Sequence, residues 1–267
     1  MVPADARHGE RGKKVTTVTV RNVTIGEGKP KIVVPLTGKN KAELMDEASM
    51  ITTLSPDLVE WRVDFFEKAE QIPAVLETAA VIREKLGEIP LIFTFRSKKE
   101  GGAKVVSDSY YRELNLAAIK SGHADLIDLE LFSAKPAIED VFREAGERGV
   151  PVIMSNHEFS FTPPKDAILE RLQKMKEYGA DILKIAVMPR TAADVLILLD
   201  ATNTFTNQKD SPPVVTMAMG GLGLITRLAG EIFGSALTFA SGKKSSAPGQ
   251  IPVNELRTVL EILHRNI

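Results

Sequence analysis

Short apolar runs alternate along the chain with longer stretches in which apolar side chains recur every three or four positions, and Gly, Pro, Ser or Asn separate the two. The runs at residues 31–36, 58–63, 91–95, 126–131, 150–155, 182–187, 213–217 and 236–239 predict strands. The periodic stretches at 41–51, 74–86, 110–120, 138–147, 166–178, 192–202, 223–232 and 253–264 predict helices. A hairpin is expected ahead of them, at 15–20 and 23–25, closing the bottom of whatever the repeats build. About eight strand–helix units is the number a (β/α)8 TIM barrel needs. A doubly wound open sheet is the rival arrangement; even spacing and the lack of a composition break favour the closed barrel.

Two-residue alternation along each strand predicts which side chains enter that barrel. In "LVEWRVD", Val59, Trp61 and Val63 share one face, which suits the helix-covered outside, so Leu58, Glu60, Arg62 and Asp64 share the other, and Glu60 and Arg62 turn inward. The same reading turns Thr94 and Arg96 together, Asp128 and Glu130 together, and Ser155 with His157, the last placed just past its strand end. In "DILKIAVMP" it sets Lys184 among apolar neighbours, on a face with Ile182 and Ala186. Taken singly, a strand lysine reads as an edge residue with its head in water, a lone histidine as packing, and a Glu–Arg pair as a structural ion pair. Their coincidence on one inward register is harder to dismiss, because buried charges cost several kcal/mol each unless paired or used.

Composition narrows the chemistry. The 267 residues are 43% hydrophobic, enough for a large core. Lys and Arg total 34 against 35 Asp and Glu, a net charge of -1, so no general field draws the chain to nucleic acid or an anionic membrane. The absence of cysteine excludes disulfides, thiolate-bound metal and a catalytic thiol. The four histidines are well scattered, so no metal centre is expected. The leading segment lacks the apolar run of a signal peptide, and the expectation is a soluble cytoplasmic protein with a flexible tail at 1–14 and one catalytic domain at 15–267. "GKKS", "HEFSF" and "GGLGLITRLAG" fail the P-loop, zincin and dinucleotide patterns.

The motifs "VEWRVD" (59–64), "FTFRSKKEGG" (93–102), "DLIDLEL" (125–131), "IMSNHEF" (153–159), "LKIAVMP" (183–189), "RLAGEIFGSALTF" (227–239) and "SAPGQI" (246–251) resemble type I 3-dehydroquinate dehydratase, in that family's order. The resemblance implies a homodimeric (β/α)8 barrel, without metal or cofactor, that dehydrates the small molecule 3-dehydroquinate to 3-dehydroshikimate in aromatic amino acid biosynthesis. It further implies that Lys184 forms an imine with the substrate ketone, that His157 moves protons, and that Glu100 orients His157. Arg227 would hold the substrate carboxylate, with Glu60, Arg62, Arg96, Ser246 and Gln250 contacting the rest. The chemistry agrees, since a protonated imine accepts the electrons left when the C2 proton departs. Bringing a lysine from ~10.4 to ~8 takes about 3 kcal/mol, which desolvation and nearby guanidinium groups are expected to supply. The segment "SGKKSSAPGQ" is expected to act as a lid.

The chain departs from the family pattern at Pro35, where a serine hydroxyl is usual, and at Gly220-Gly221, where side chains are lost and a looser backbone is expected. Two other readings remain open from residues alone: a Schiff-base aldolase on the same barrel, and a barrel that only binds.

Overall fold

The computed structural model describes residues 16–242 and 247–267; the expected tail and Ser246 lie outside them. A two-stranded hairpin, β1 (Val18–Val20) and β2 (Val23–Ile25), comes first. Then strands and helices alternate: β3 (Lys31–Leu36), α1 (Lys41–Thr53), β4 (Leu58–Arg62), α2 (Ile72–Leu86), β5 (Leu91–Thr94), α3 (Asp108–Ser121), β6 (Leu126–Glu130), α4 (Lys135–Arg148). β7 (Val152–Glu158), α5 (Lys165–Glu177), β8 (Ile182–Val187), α6 (Ala192–Thr206), β9 (Val214–Ala218), α7 (Leu224–Leu228), α8 (Gly230–Phe233), β10 (Leu237–Phe239) and α9 (Val253–His264) complete the series.

Strands β3 to β10 form an eight-stranded parallel sheet in the order β10-β3-β4-β5-β6-β7-β8-β9. Its last seam closes through Ser235: a bridge joins Val214 to Ser235, Ala236 N–H donates to Val214 O at 2.7 Å, and the Ser235 hydroxyl accepts from Thr216 N–H at 3.1 Å. The result is the (β/α)8 barrel.

Alternation along the strands divides the apolar residues into two cores. The outer one lies between sheet and helices and includes Val59, Trp61, Phe93, Leu129, Met154, Leu183 and Ile185. The inner one lines the barrel axis with Val33, Leu58, Ile92, Leu126, Ile153, Ile182, Val215 and Leu237, and Val20 and Ile25 of the hairpin pack beneath it. The hairpin therefore covers the barrel floor, as the sequence predicts. Burying such side chains contributes about 1.5–3 kcal/mol each. A sealed floor leaves the C-terminal mouth as the way in.

Helix ends follow their sequence signals. Asn40 caps α1, Ser107 caps α3, and Thr191 with Asp194 forms a capping box on α6. The expected helix at 223–232 is broken, because Ala229 leaves helical geometry at φ -96° and ψ 22°. Gly230 then passes so close to Pro30 that a Cβ would lie 2.8 Å from its Cγ. Among the described residues no helix is long and apolar enough to cross a membrane.

Candidate active site

Above the apolar floor the inward register turns polar. Glu60, Thr94, Asp128, Ser155 and Lys184 project from successive strands, and each is buried. Lys184 Nζ lies 3.1 Å from Asp128 Oδ2 and 3.4 Å from Glu60 Oε1, with the Phe239 ring centroid 4.4 Å away. The expectation of guanidinium neighbours is corrected here: carboxylates are the direct partners of this ammonium. The strand order brings Glu60 and Asp128 within reach of Lys184, while Arg62 pairs with Asp64 and Arg96 with Asp128 and Glu130. Burial works against the Asp128 charge, but Arg96 and then Lys184 outweigh it and hold this carboxyl well below the usual carboxylate range.

Arg96 gathers the adjoining acids. Its guanidinium donates to Asp128 Oδ1 at 2.7 Å, Glu130 Oε1 at 3.1 Å and Ser155 Oγ at 2.9 Å, and lies 3.7 Å from Glu100. Burial disfavours its charge, yet Asp128, Glu130 and Glu100 raise its pKa further. Arg62 forms a two-pronged pair with Asp64 at 2.8 and 2.9 Å. Asp64 also accepts from Ala103 N–H at 2.9 Å, and so ties Arg62 to the loop that follows β5. That loop needs its glycines: a Cβ on Gly102 would lie 1.8 Å from Arg96 O, and Gly101 sits at φ 83°.

The tight loop delivers Glu100 to His157. Glu100 Oε2 accepts from the backbone N–H of His157 and faces its Nδ1, both at 3.0 Å, while Oε1 accepts from Asn156 Nδ2 at 3.1 Å. His157 lies within β7, paired in register with Ala186, and not past the strand end, because this strand runs on to Glu158. Burial, then Arg96 and Lys184, pull the His157 ring well below its ordinary pKa against the opposing pull of Asp128. Burial raises Glu100 to about 8, in the face of Arg96 and with Glu130 adding to the rise. The pair is thus a buried acid and a neutral imidazole poised to exchange a proton.

Arg227, from α7, is 1% exposed, and no carboxylate among the described residues pairs with it. Its donors reach Phe239 O at 3.4 Å and Pro248 O at 3.1 Å, and Nε has no partner. Burial pushes this guanidinium down to about 10. A buried cation with spare donors suits an incoming anion.

One cavity of about 80 Å³ touches Lys184, His157, Glu100, Glu60, Arg62, Arg96, Arg227 and Gln250, with Phe159, Met217, Met219 and Phe239 as apolar walls. All the expected site residues that are described meet there. Pro35 sits at the register of Glu60, on the inward face with Val33. The turn at Gly220 is fastened to the expected lid segment, since Gly220 N–H donates to Pro248 O at 3.2 Å. Gly220 adopts φ 72°, a conformation that favours glycine, and the close approach belongs to Gly249, where a Cβ would lie 2.5 Å from Gly220 O. Among the described residues no three His, Cys, Asp or Glu groups are placed to hold a metal.

Sequence reasoning placed Asp128 and Asp64 on the inward faces of their strands but gave neither a role, and it passed over Asn156. Inward alternation was signal enough for Asp128. Alternation also set Asp64 beside Arg62, its partner two residues away, whereas nothing local marked Asn156, whose partner Glu100 is 56 residues away.

Known proteins agree with this geometry. The type I 3-dehydroquinase family model matches residues 32–267. A 3-dehydroquinate dehydratase of Listeria monocytogenes is 53% identical over 248 residues, 93% of this chain and 98% of the relative. One of Bacillus velezensis is 49% identical over 251 residues, covering 94% and 99%. The crystal structure of a type I 3-dehydroquinate dehydratase from Clostridium difficile superposes with a TM-score of 0.92 at 50% identity, covering 94% of this chain and 99% of that one. The barrel, the buried lysine and these likenesses together place the chain in the type I 3-dehydroquinase family.

Proposed function

We propose that the chain dehydrates 3-dehydroquinate to 3-dehydroshikimate through an imine on Lys184, the third step of the shikimate pathway. The observation that carries this reading is an amine on β8, buried at the barrel mouth, and around the same cavity a histidine–carboxylate pair and a guanidinium that pairs with no acid among the described residues. Lys184 passes a proton to Glu60, in contact at 3.4 Å, and its free electron pair attacks the C3 ketone. Loss of water from the carbinolamine gives a protonated imine. His157 removes the C2 proton, and the electrons of that C–H bond move toward the imine nitrogen, forming an enamine. The enamine returns them to expel the C1 hydroxyl, which takes a proton from His157 and leaves as water. Hydrolysis then frees the product and Lys184.

Arg227 receives the substrate carboxylate. Glu60, Arg62 and Gln250 border the same space and suit its hydroxyls, and Ser246 completes the set by its place in the motif. Arg96, with its donors engaged by Asp128, Glu130 and Ser155, keeps the acids in place. The proposal includes a cytoplasmic homodimer, for which Leu196, Leu222, Ile225 and Ile232 provide exposed apolar surface and which light scattering tests. Incubation with 3-dehydroquinate should produce the ultraviolet absorbance of a conjugated enone; its absence at high enzyme concentration would overturn the assignment.

A further inference from the structure

Asn156 points to the outer side of β7, opposite in register to His157, and is nonetheless only 4% exposed. Its side chain bridges two partners. The carbonyl oxygen accepts from Arg171 at 2.7 Å, and the amide nitrogen donates to Glu100 Oε1 at 3.1 Å. Arg171 lies on α5, outside the lining of the cavity, with its guanidinium carbon 5.7 Å from the centre of the Phe132 ring.

A guanidinium donates and never accepts. The end of the Asn156 amide that meets Arg171 is therefore oxygen, and the end that meets Glu100 is the NH2 group. Reversing the amide would set N–H against N–H at one end and oxygen against oxygen at the other. Held this way, the amide occupies Oε1 of Glu100 and leaves Oε2 to His157, where the backbone N–H and Nδ1 both lie at 3.0 Å. An ionised Oε2 keeps the hydrogen on Nδ1, and Nε2 is left as the basic nitrogen of the ring.

We propose that Arg171, acting through Asn156 and Glu100, fixes which ring nitrogen of His157 carries the hydrogen, so that Arg171 and Asn156 are positioning residues for the dehydration. The inference rests on the function proposed above. It extends the working machinery past the cavity, to a helix on the outer layer. The other charges facing the pair are Arg96, Glu130 and Asp128 around Glu100, and Arg96, Lys184, Asp128 and Arg62 around His157. These stay in place when Arg171 is replaced, so a change in titration reports on the Asn156 contact.

Without Arg171 the amide is free to turn its oxygen to Glu100, which favours the protonated carboxyl and moves the ionisation of the pair to higher pH. The test compares full-length wild type, Arg171→Met and Arg171→Lys by nitrogen-15 NMR of the histidine ring across pH, the His157 signals being assigned with His157→Gln. The pH profile of kcat/KM is measured alongside. The Nδ1–H form of the wild type should appear as pH rises through about 8. In Arg171→Met that midpoint should rise by about one pH unit in both measurements, and Arg171→Lys, which restores a donor, should bring most of it back. A midpoint does not depend on how much enzyme is folded, so lost stability does not mimic the effect. An NMR midpoint that moves in a protein without activity on 3-dehydroquinate would uphold the positioning and reject the function. The same midpoint in wild type and Arg171→Met would overturn the positioning role.

Discussion

Lys184 Nζ stands 3.1 Å from Asp128 Oδ2, the carboxylate that Arg96 grips by its other oxygen at 2.7 Å. One buried acid thus joins the amine that would bond to substrate to the arginine that organises the barrel mouth. Asp128, held well below the usual carboxylate range, steadies the ammonium, and Glu60 at 3.4 Å is the acid left to receive its proton before reaction. The arrangement also offsets the desolvation of three buried charges.

Asp128→Asn keeps the shape and removes that charge from both partners. Charge-assisted hydrogen bonds contribute ~1.5–3 kcal/mol, so stability should fall by about 2 kcal/mol in denaturant unfolding. Glu60→Gln, which removes the proton receiver, should slow imine formation by about tenfold or more in single-turnover trapping. Unchanged trapping kinetics in Glu60→Gln would remove Glu60 from proton transfer.

His157→Ala leaves Lys184 and its acids in place. Borohydride should still trap substrate on the protein, while steady-state turnover falls by about 10²–10⁴-fold, the usual contribution of a general acid–base. Near-normal turnover would assign the C2 proton to another group.

Arg227 has no acidic partner among the described residues, so its replacement removes a ligand contact without stranding an acid. Arg227→Ala should raise KM by about 10–100-fold, with a smaller change in kcat. An unaltered KM would move the carboxylate site elsewhere.

Glu100 carries a pH signature in stability. Its carboxyl is raised from 4.5 to about 8 by burial, so the folded protein holds a proton that the unfolded chain has released. Stability from this group is present at the acid end and is lost as pH rises from 4.5 to about 8. Thermal unfolding of Glu100→Gln should lose less stability than wild type across that window. Parallel curves for the two proteins would contradict the buried, protonated carboxyl.

Much of this was legible in the chain because a barrel strand exposes its logic in every second residue. Alternation alone turned Glu60, Arg62, Arg96, Asp128 and Lys184 inward, and all five converge. The hairpin under the floor followed from its paired apolar residues. What stayed hidden depended on partners remote in sequence. The kink at Ala229 follows from the close packing of Gly230 on Pro30, and the acids around Lys184 from the order of β4, β6 and β8 around the barrel. His157 was set one element too far along because strand ends depend on neighbouring hydrogen bonds, and β8 pairs with β7 as far as Glu158. Asn156 lies on the face that alternation assigns to packing.

The central claim is a covalent bond between one lysine and the substrate. Mass spectrometry of peptides after borohydride reduction in the presence of 3-dehydroquinate tests it most directly. The account predicts a reduced adduct on Lys184 that disappears in Lys184→Met. An adduct on a different lysine, or turnover retained in Lys184→Met, would contradict it.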